Sequence, residues 1–158
     1  MDRKLLSLYG LKYNPFSQDV PTEALYATPA VEPFGWRVEN MARGGGFALV
    51  TGEPGLGKSA AMRLIAERLG HIVDLKVGEL TRPQGGVADF YRELGDLFGV
   101  ELSPHNRWAG AKVLRSRWLS HIEQALFPPV LLIDEAQEAP APLLTELRLL
   151  SSAKLDSK

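Results

Sequence analysis

Cysteine is absent from the 158 residues, which excludes disulfides and thiolate metal sites and suits a reducing compartment. No apolar run approaches the ~20 residues that a membrane-spanning helix needs. The start, Met1-Asp2-Arg3-Lys4-Leu5-Leu6, also lacks a long apolar core of the kind that directs export. The expectation is a soluble, cytoplasmic protein with no membrane insertion. Neither sign of charge is in excess: 18 Lys and Arg stand against 19 Asp and Glu, for a formal charge of −1. No global field draws the chain to nucleic acid or anionic membrane, so any DNA contact would be local. The three histidines, His71, His105 and His121, have no carboxylate or histidine neighbour at ligand spacing, and no internal repeat is visible. What is plentiful is apolar content, 45 % of the chain, ample for one core in a protein the size of one domain.

Against that background one stretch stands out. Gly52-Glu53-Pro54-Gly55-Leu56-Gly57-Lys58-Ser59 fits G-x-x-x-x-G-K-[ST] and lies between the apolar run Phe47-Ala48-Leu49-Val50 and a helix-like segment. A loop that wraps phosphates must turn successive backbone N–H groups inward, which requires glycine wherever a Cβ would force the chain away. Lys58 supplies a point charge for the β and γ phosphates. Ser59, with Ala60 next to it in the first turn, opens the helix, so its hydroxyl can reach Mg²⁺ while the helix N-terminus adds positive potential. A nucleotide with Mg²⁺ is the implied ligand, which the resemblance given below narrows to ATP.

Residues 1–30 combine turn chemistry (Gly10, Asn14-Pro15, Pro21, Thr28-Pro29) with Leu8, Tyr9, Tyr13, Phe16 and Tyr26, and read as an irregular arm packed by its aromatics. A helix over about 32–43 ends at Gly44-Gly45-Gly46, ahead of a first strand at about 47–51. These observations divide the chain into an arm and helix, 1–45, and a partial phosphate-loop core, 46–158. Ala61, Met62, Ile65 and Leu69 recur at helical spacing before a stop at Gly70, and His71 to Val77 reads as a second strand. Amphipathic helices follow over 87–98 and 107–127, the latter broken by Pro128-Pro129. Val130-Leu131-Leu132-Ile133 is wholly apolar, as a strand covered on both faces would be, and a last helix carries Leu143, Leu144, Leu147 and Leu150. Strands alternating with helices imply an α/β fold with a parallel sheet.

The third strand ends in Asp134-Glu135, which brings carboxylates to the sheet edge where the phosphate loop lies. Asp134 would hold Mg²⁺, through water, and Glu135 would orient or deprotonate the water that attacks the γ phosphate. Gln137 reads either as a sensor of that phosphate or as an ordinary helix-start residue. Residues 105–121 hold Arg107, Lys112, Arg115 and Arg117, two tryptophans and no acid. On a helical wheel the bases scatter, whereas Trp108, Trp118, Leu119, Ile122 and Leu126 share one arc, so the tryptophans read as core rather than as a nucleic-acid stripe. Arg115 falls inside that arc, where a charge must snorkel, find an acid or face a partner subunit; snorkelling or pairing is favoured.

With both motifs in hand, the chain resembles the AAA+ ATPases of the general-secretion-pathway protein A group and the related ATP-binding helpers of bacterial transposition. The likeness rests on Tyr9-Gly10-Leu11 with Asn14-Pro15-Phe16, on Leu25-Tyr26 to Pro29, on Gly46-Phe47 through the loop, and on Ile133 to Gln137 followed by Glu146-Leu147-Arg148-Leu149-Leu150-Ser151. It implies a P-loop NTPase of three-layer α/β/α type, with Tyr26 near the adenine, Lys58 and Ser59 on phosphate and Mg²⁺, and Glu135 as hydrolytic base. Its implied partners are further copies of the chain, and DNA with a transposase or a secretion partner. At Ser152 the related proteins usually have Asn. They also continue through two more strands, a polar sensor, an arginine finger and a helical lid, none of them visible here. The resemblance therefore implies a C-terminally truncated chain that binds nucleotide and hydrolyses it poorly, the alternative being a non-catalytic nucleotide-binding fragment. In the related sheet the missing fourth strand lies between the first and third, so the chain leaves a gap, pairs those two directly or borrows a strand. A helicase-type reading of Asp134-Glu135-Ala136-Gln137 ranks last, because no second motor domain is present.

Overall fold

The computed structural model describes residues 3–17, 20–80, 83–99 and 107–152. Along them run α1 (Arg3–Leu8), α2 (Val31–Gly44), α3 (Lys58–Gly70), β1 (Val77–Leu80), α4 (Val87–Phe98), α5 (Arg107–Gln124), β2 (Val130–Ile133) and α6 (Ala141–Ser152). Single 3-10 turns occupy Thr22–Ala24 and Ala136–Glu138.

β1 and β2 pair in parallel, with Val77 opposite Val130 and Leu80 opposite Ile133. The Val130 amide donates to the Lys76 carbonyl at 2.8 Å and extends the ladder. Successive side chains point to opposite faces of a strand, and here that alternation separates two cores. Val77 and Val130 pack against Ala42 of α2 and Ile65 and Leu69 of α3. On the other face Leu80, Leu131 and Ile133 join Phe90, Leu94, Leu114, Leu143 and Leu150 from α4, α5 and α6. Gly78 lies on that second face, where a Cβ would come within 2.8 Å of Leu97 Cδ2, so the missing side chain is what lets α4 sit so close. Helices thus cover both faces of a short parallel sheet, the expected α/β architecture in three layers.

Two expected strands are corrected. Residues 47–51 lie outside the sheet: Gly45 and Gly46 enter them at φ of 76° and 139°, Phe47 and Leu49 are 68 % and 83 % exposed, and no ladder partner meets their backbone among the described residues. Direct pairing of that first strand with the third, one of the three arrangements open to the sheet, is not observed. The second strand begins where it was expected to end, at Val77. Residues 71–75 instead turn off the end of α3, through bonds such as Ile72 N–H to the Leu69 carbonyl at 3.0 Å, and Asp74 adopts φ of 69°. α5 stops at Gln124, short of 127; the Ala125 N–H still bonds the His121 carbonyl at 2.8 Å, and Pro128 keeps Phe127 from helical geometry. Leu126 falls beyond that end and is exposed.

The arm is also corrected. It contains a helix, α1, and its aromatics do not pack it down, Tyr9, Phe16 and Tyr26 being 68 %, 88 % and 81 % exposed. Asn14 Oδ1 accepts from the Phe16 N–H at 3.1 Å, a local turn that presents the ring outward. What fixes the segment is Val20, buried, whose carbonyl accepts from Arg63 of α3. A second charged seam joins α2 to α3, where Arg68 reaches Glu32 at 3.1 Å and Glu39 at 3.2 Å.

Arg115 lies against the core and pairs. Its Nη2 donates to Glu146 of α6 and to the Tyr91 hydroxyl of α4, while that hydroxyl donates to the same Glu146 oxygen at 2.6 Å. Burial, and then donation to Glu146, push the Tyr91 phenol above its ordinary value and keep its proton in place. Trp118 is buried and donates through Nε1 to the Leu150 carbonyl at 3.2 Å, a core role as expected; the side chains of Arg107 and Trp108 lie outside the described residues.

Two predictions follow from this packing. Leu114 is fully buried at the centre of the larger core, so Leu114→Ala lowers unfolding free energy by about 3 kcal/mol in urea titrations, whereas Val113→Ala, at an exposed neighbour, changes it by less than about 0.5 kcal/mol. His121 carries a buried Nε2 with no hydrogen-bond partner among the described residues, and the Phe98 ring stands edge-on at 5.7 Å. Burial, and then the charge of Lys76, hold its imidazole below the ordinary 6.5. The unfolded chain therefore takes the proton first, and stability that is complete above 6.5 is lost as pH falls below it. Between about pH 7.5 and pH 5.5 the drop in melting temperature is expected to be smaller in His121→Leu than in the parent.

Candidate nucleotide site

Residues 45–57 form neither helix nor strand before α3 begins at Lys58. Gly55 and Gly57 sit at φ of 84° and 80°, the left-handed region where a side chain is strained, and nothing lies within 4 Å of either missing Cβ. Conformation rather than crowding requires glycine at both. Lys58 folds back over the loop, its Nζ donating to the carbonyls of Gly52 at 2.9 Å and Glu53 at 3.0 Å. The Leu56 N–H meets the Glu53 carbonyl at 3.4 Å, its side chain remains exposed, and Pro54 has no N–H to offer. The N–H groups of Gly55, Gly57, Lys58, Ser59 and Ala60 donate to no carbonyl among the described residues. The last three are donors that any helix leaves unpaired in its first turn, and the positive end of α3 lies behind them. Amides without a partner among the described residues, one ammonium and a helix N-terminus together are a chemistry that suits an anion.

The second cluster follows β2. Asp134 Oδ1 accepts from the N–H of Glu135 at 2.9 Å. Glu135 itself is left-handed, at φ 49° and ψ 41°, a conformation that costs a non-glycine residue about 1 kcal/mol. The Glu138 N–H closes the turn on the Glu135 carbonyl at 2.9 Å, and Gln137 Nε2 donates to Glu135 Oε2. One oxygen of each carboxylate is thereby held locally, and the other meets no hydrogen-bond donor among the described residues.

Ile65 and Leu69, in the second half of α3, pack with Val77 and Val130, the first residues of the two strands. From that shared point α3 leads back to the loop, while β2 leads on to Asp134. Lys58 is bonded within its own loop, and Asp134 and Glu135 within their own turn. Tyr26 stands exposed between the Thr22–Ala24 turn and α2. A cavity of about 300 Å³ lies beside the second half of α3, lined by Ala27, Val31, Gly35, Leu64 and Arg68 among others, away from the helix end that carries the loop. The left-handed Glu135 had no sequence signal, since a β-strand ending in an acid ordinarily stays extended.

The AAA domain family matches residues 41–158. The chain belongs to that family. This AAA-type chain is also 29 % identical, over 154 residues, to "General secretion pathway protein A" of Aeromonas hydrophila, a match that takes in 95 % of the chain and 27 % of the relative. It therefore spans about a quarter of that relative's length. No solved structure matches it.

Gly57 and Gly70 separate the two uses of glycine. Gly70 is helical, with open space where a Cβ would stand. Gly57→Ala is expected to lower stability by about 1 kcal/mol and Gly70→Ala to raise it by about 0.5 kcal/mol, both read from urea midpoints of the ligand-free protein.

Proposed function

We propose that the chain is an ATP-binding, Mg²⁺-dependent AAA-type ATPase module. The observation that carries this reading is the set of backbone amides of Gly55, Gly57, Lys58, Ser59 and Ala60 that meet no carbonyl among the described residues, at the positive end of α3 and beside the Lys58 ammonium. In this reading phosphate oxygens take those amides, and the ammonium leaves the carbonyls of Gly52 and Glu53 for the β and γ phosphates. Tyr26, exposed and unclaimed by the core, is assigned to the adenine. Ser59 and the free oxygen of Asp134 are the hard oxygen donors that suit Mg²⁺, which when bound neutralises charge between the β and γ phosphates. Glu135 is the base that accepts a proton from the attacking water. Residues 1–45 act as the arm and 46–158 as the nucleotide core.

Nucleotide binding is proposed to control assembly with further copies of the chain in the cytoplasm. The likeness to a secretion-pathway protein favours a secretion partner; DNA with a transposase is the other partner, and stimulation of turnover by duplex DNA would identify it. A second reading, nucleotide-dependent binding without turnover, is favoured by residues 47–51 lying outside the sheet, since the strand that would brace the loop is not formed.

Titration with a fluorescent ATP analogue tests the site. Binding is expected to be saturable, to strengthen with Mg²⁺ and to weaken at least about tenfold in Lys58→Ala, which loses a charge-assisted phosphate contact. Failure to bind in a chain that melts cooperatively would reject the assignment. Glu135→Gln then separates the two readings: loss of phosphate release with binding retained supports hydrolysis, and release unchanged by that substitution supports the binding module.

A further inference from the structure

The turn after β2 contains a contact that the roles assigned so far do not use. Gln137 Nε2 donates to Glu135 Oε2 across a single 3-10 turn, and no other side chain among the described residues meets that carboxylate. We propose that Gln137 is the positioning residue for Glu135, an inference that rests on the hydrolase reading above.

Glu135 is exposed, and an exposed glutamate samples many rotamers, few of which present an oxygen to any one point. Three restraints narrow that choice here. The backbone is turned left-handed, its N–H is held by Asp134 Oδ1, and its carbonyl is held by the Glu138 N–H. These fix the Cα–Cβ direction but leave the carboxylate free to swing. The Gln137 amide supplies the missing restraint by occupying Oε2, so that Oε1 remains as the oxygen able to take a proton. An amide suits this position because it donates without carrying charge. A lysine or arginine in its place would hold the carboxylate equally well and weaken it as a base. Reach matters too: Gln137 spans the turn with one more methylene than asparagine has, so Gln137→Asn is expected to behave like Gln137→Ala.

The test combines turnover with a spectroscopic reading of the contact. In Gln137→Ala, kcat for ATP is expected to fall about tenfold through lost orientation, with the dissociation constant for the ATP analogue and the melting temperature unchanged. In a Glu135→Gln background the same substitution is expected to have no further effect, because the residue acts through Glu135. In nitrogen-15 NMR spectra of the full chain, the Gln137 side-chain amide protons are expected to move to the position of a solvent-exposed glutamine when Glu135 becomes alanine. An unchanged or raised kcat in Gln137→Ala, while turnover still requires Glu135, would overturn the inference, as would an amide resonance indifferent to Glu135→Ala. A parent chain without turnover whose Gln137 resonance still follows Glu135 would uphold the contact and reject the hydrolase reading alone.

Discussion

The four-residue ladder between β1 and β2 is the constraint on which the remaining structure depends. Its alternating side chains divide the apolar residues into two cores, with α2 and α3 on one face and α4, α5 and α6 on the other. Neither core closes without the sheet. Val77 and Val130 complete the small α2–α3 cluster, and Leu80, Leu131 and Ile133 floor the larger one. All four residues of β2 are nevertheless only half-buried, because β1 covers one edge and no strand meets the other among the described residues. Backbone groups along an unpaired edge must turn to water or to another chain.

From that ladder the two clusters of the proposed site inherit unequal support. The Asp134–Gln137 turn is held at both ends. β2 fixes its start, and α6 follows it, anchored by the Trp118 bond to Leu150 and by the Arg115–Tyr91–Glu146 group. The glycine loop before α3 has one anchor. It is continuous with α3, but residues 43–57 are exposed, and its internal bonds come from its own Lys58 and from Leu56 to Glu53. Few buried contacts and solvent-facing hydrogen bonds are the marks of a segment that opens at low free-energy cost.

Much of this was legible in the sequence, and the reasons differ by element. Helices α2, α3, α4 and α6 were readable because each carries an apolar face at helical spacing and ends at a glycine or follows a proline, signals local to the element. The conformation of the Gly52–Ser59 loop was legible from its glycines, which take the left-handed geometry at Gly55 and Gly57 that their residue type permits. Arg115 was legible as a conflict, a charge inside an apolar arc, with pairing among the favoured outcomes; its partners were not, because Tyr91 and Glu146 come from helices 24 and 31 positions away. Residues 47–51 misled for the converse reason. Phe47, Leu49 and Val50 have strand composition, but a strand exists only when a ladder receives it, and that partner is not a property of the segment. The arm misled similarly: aromatic content implies burial only where a face is available to receive the rings.

The asymmetry of support bears on how the site would work. The acidic turn is pre-formed: a strained Glu135 backbone is kept in place by three local hydrogen bonds and by packing on either side. Strain at a non-glycine residue persists only where the surroundings over-determine it, and here they do. The loop is the adaptable partner, closed on itself by the same lysine that an anion would claim. Binding would therefore exchange carbonyl oxygens for phosphate oxygens around one ammonium while the acidic turn stays where β2 and α6 hold it. Movement on binding would belong to the loop and alignment to the turn, a division set by the fact that one of them borders the sheet and the other does not.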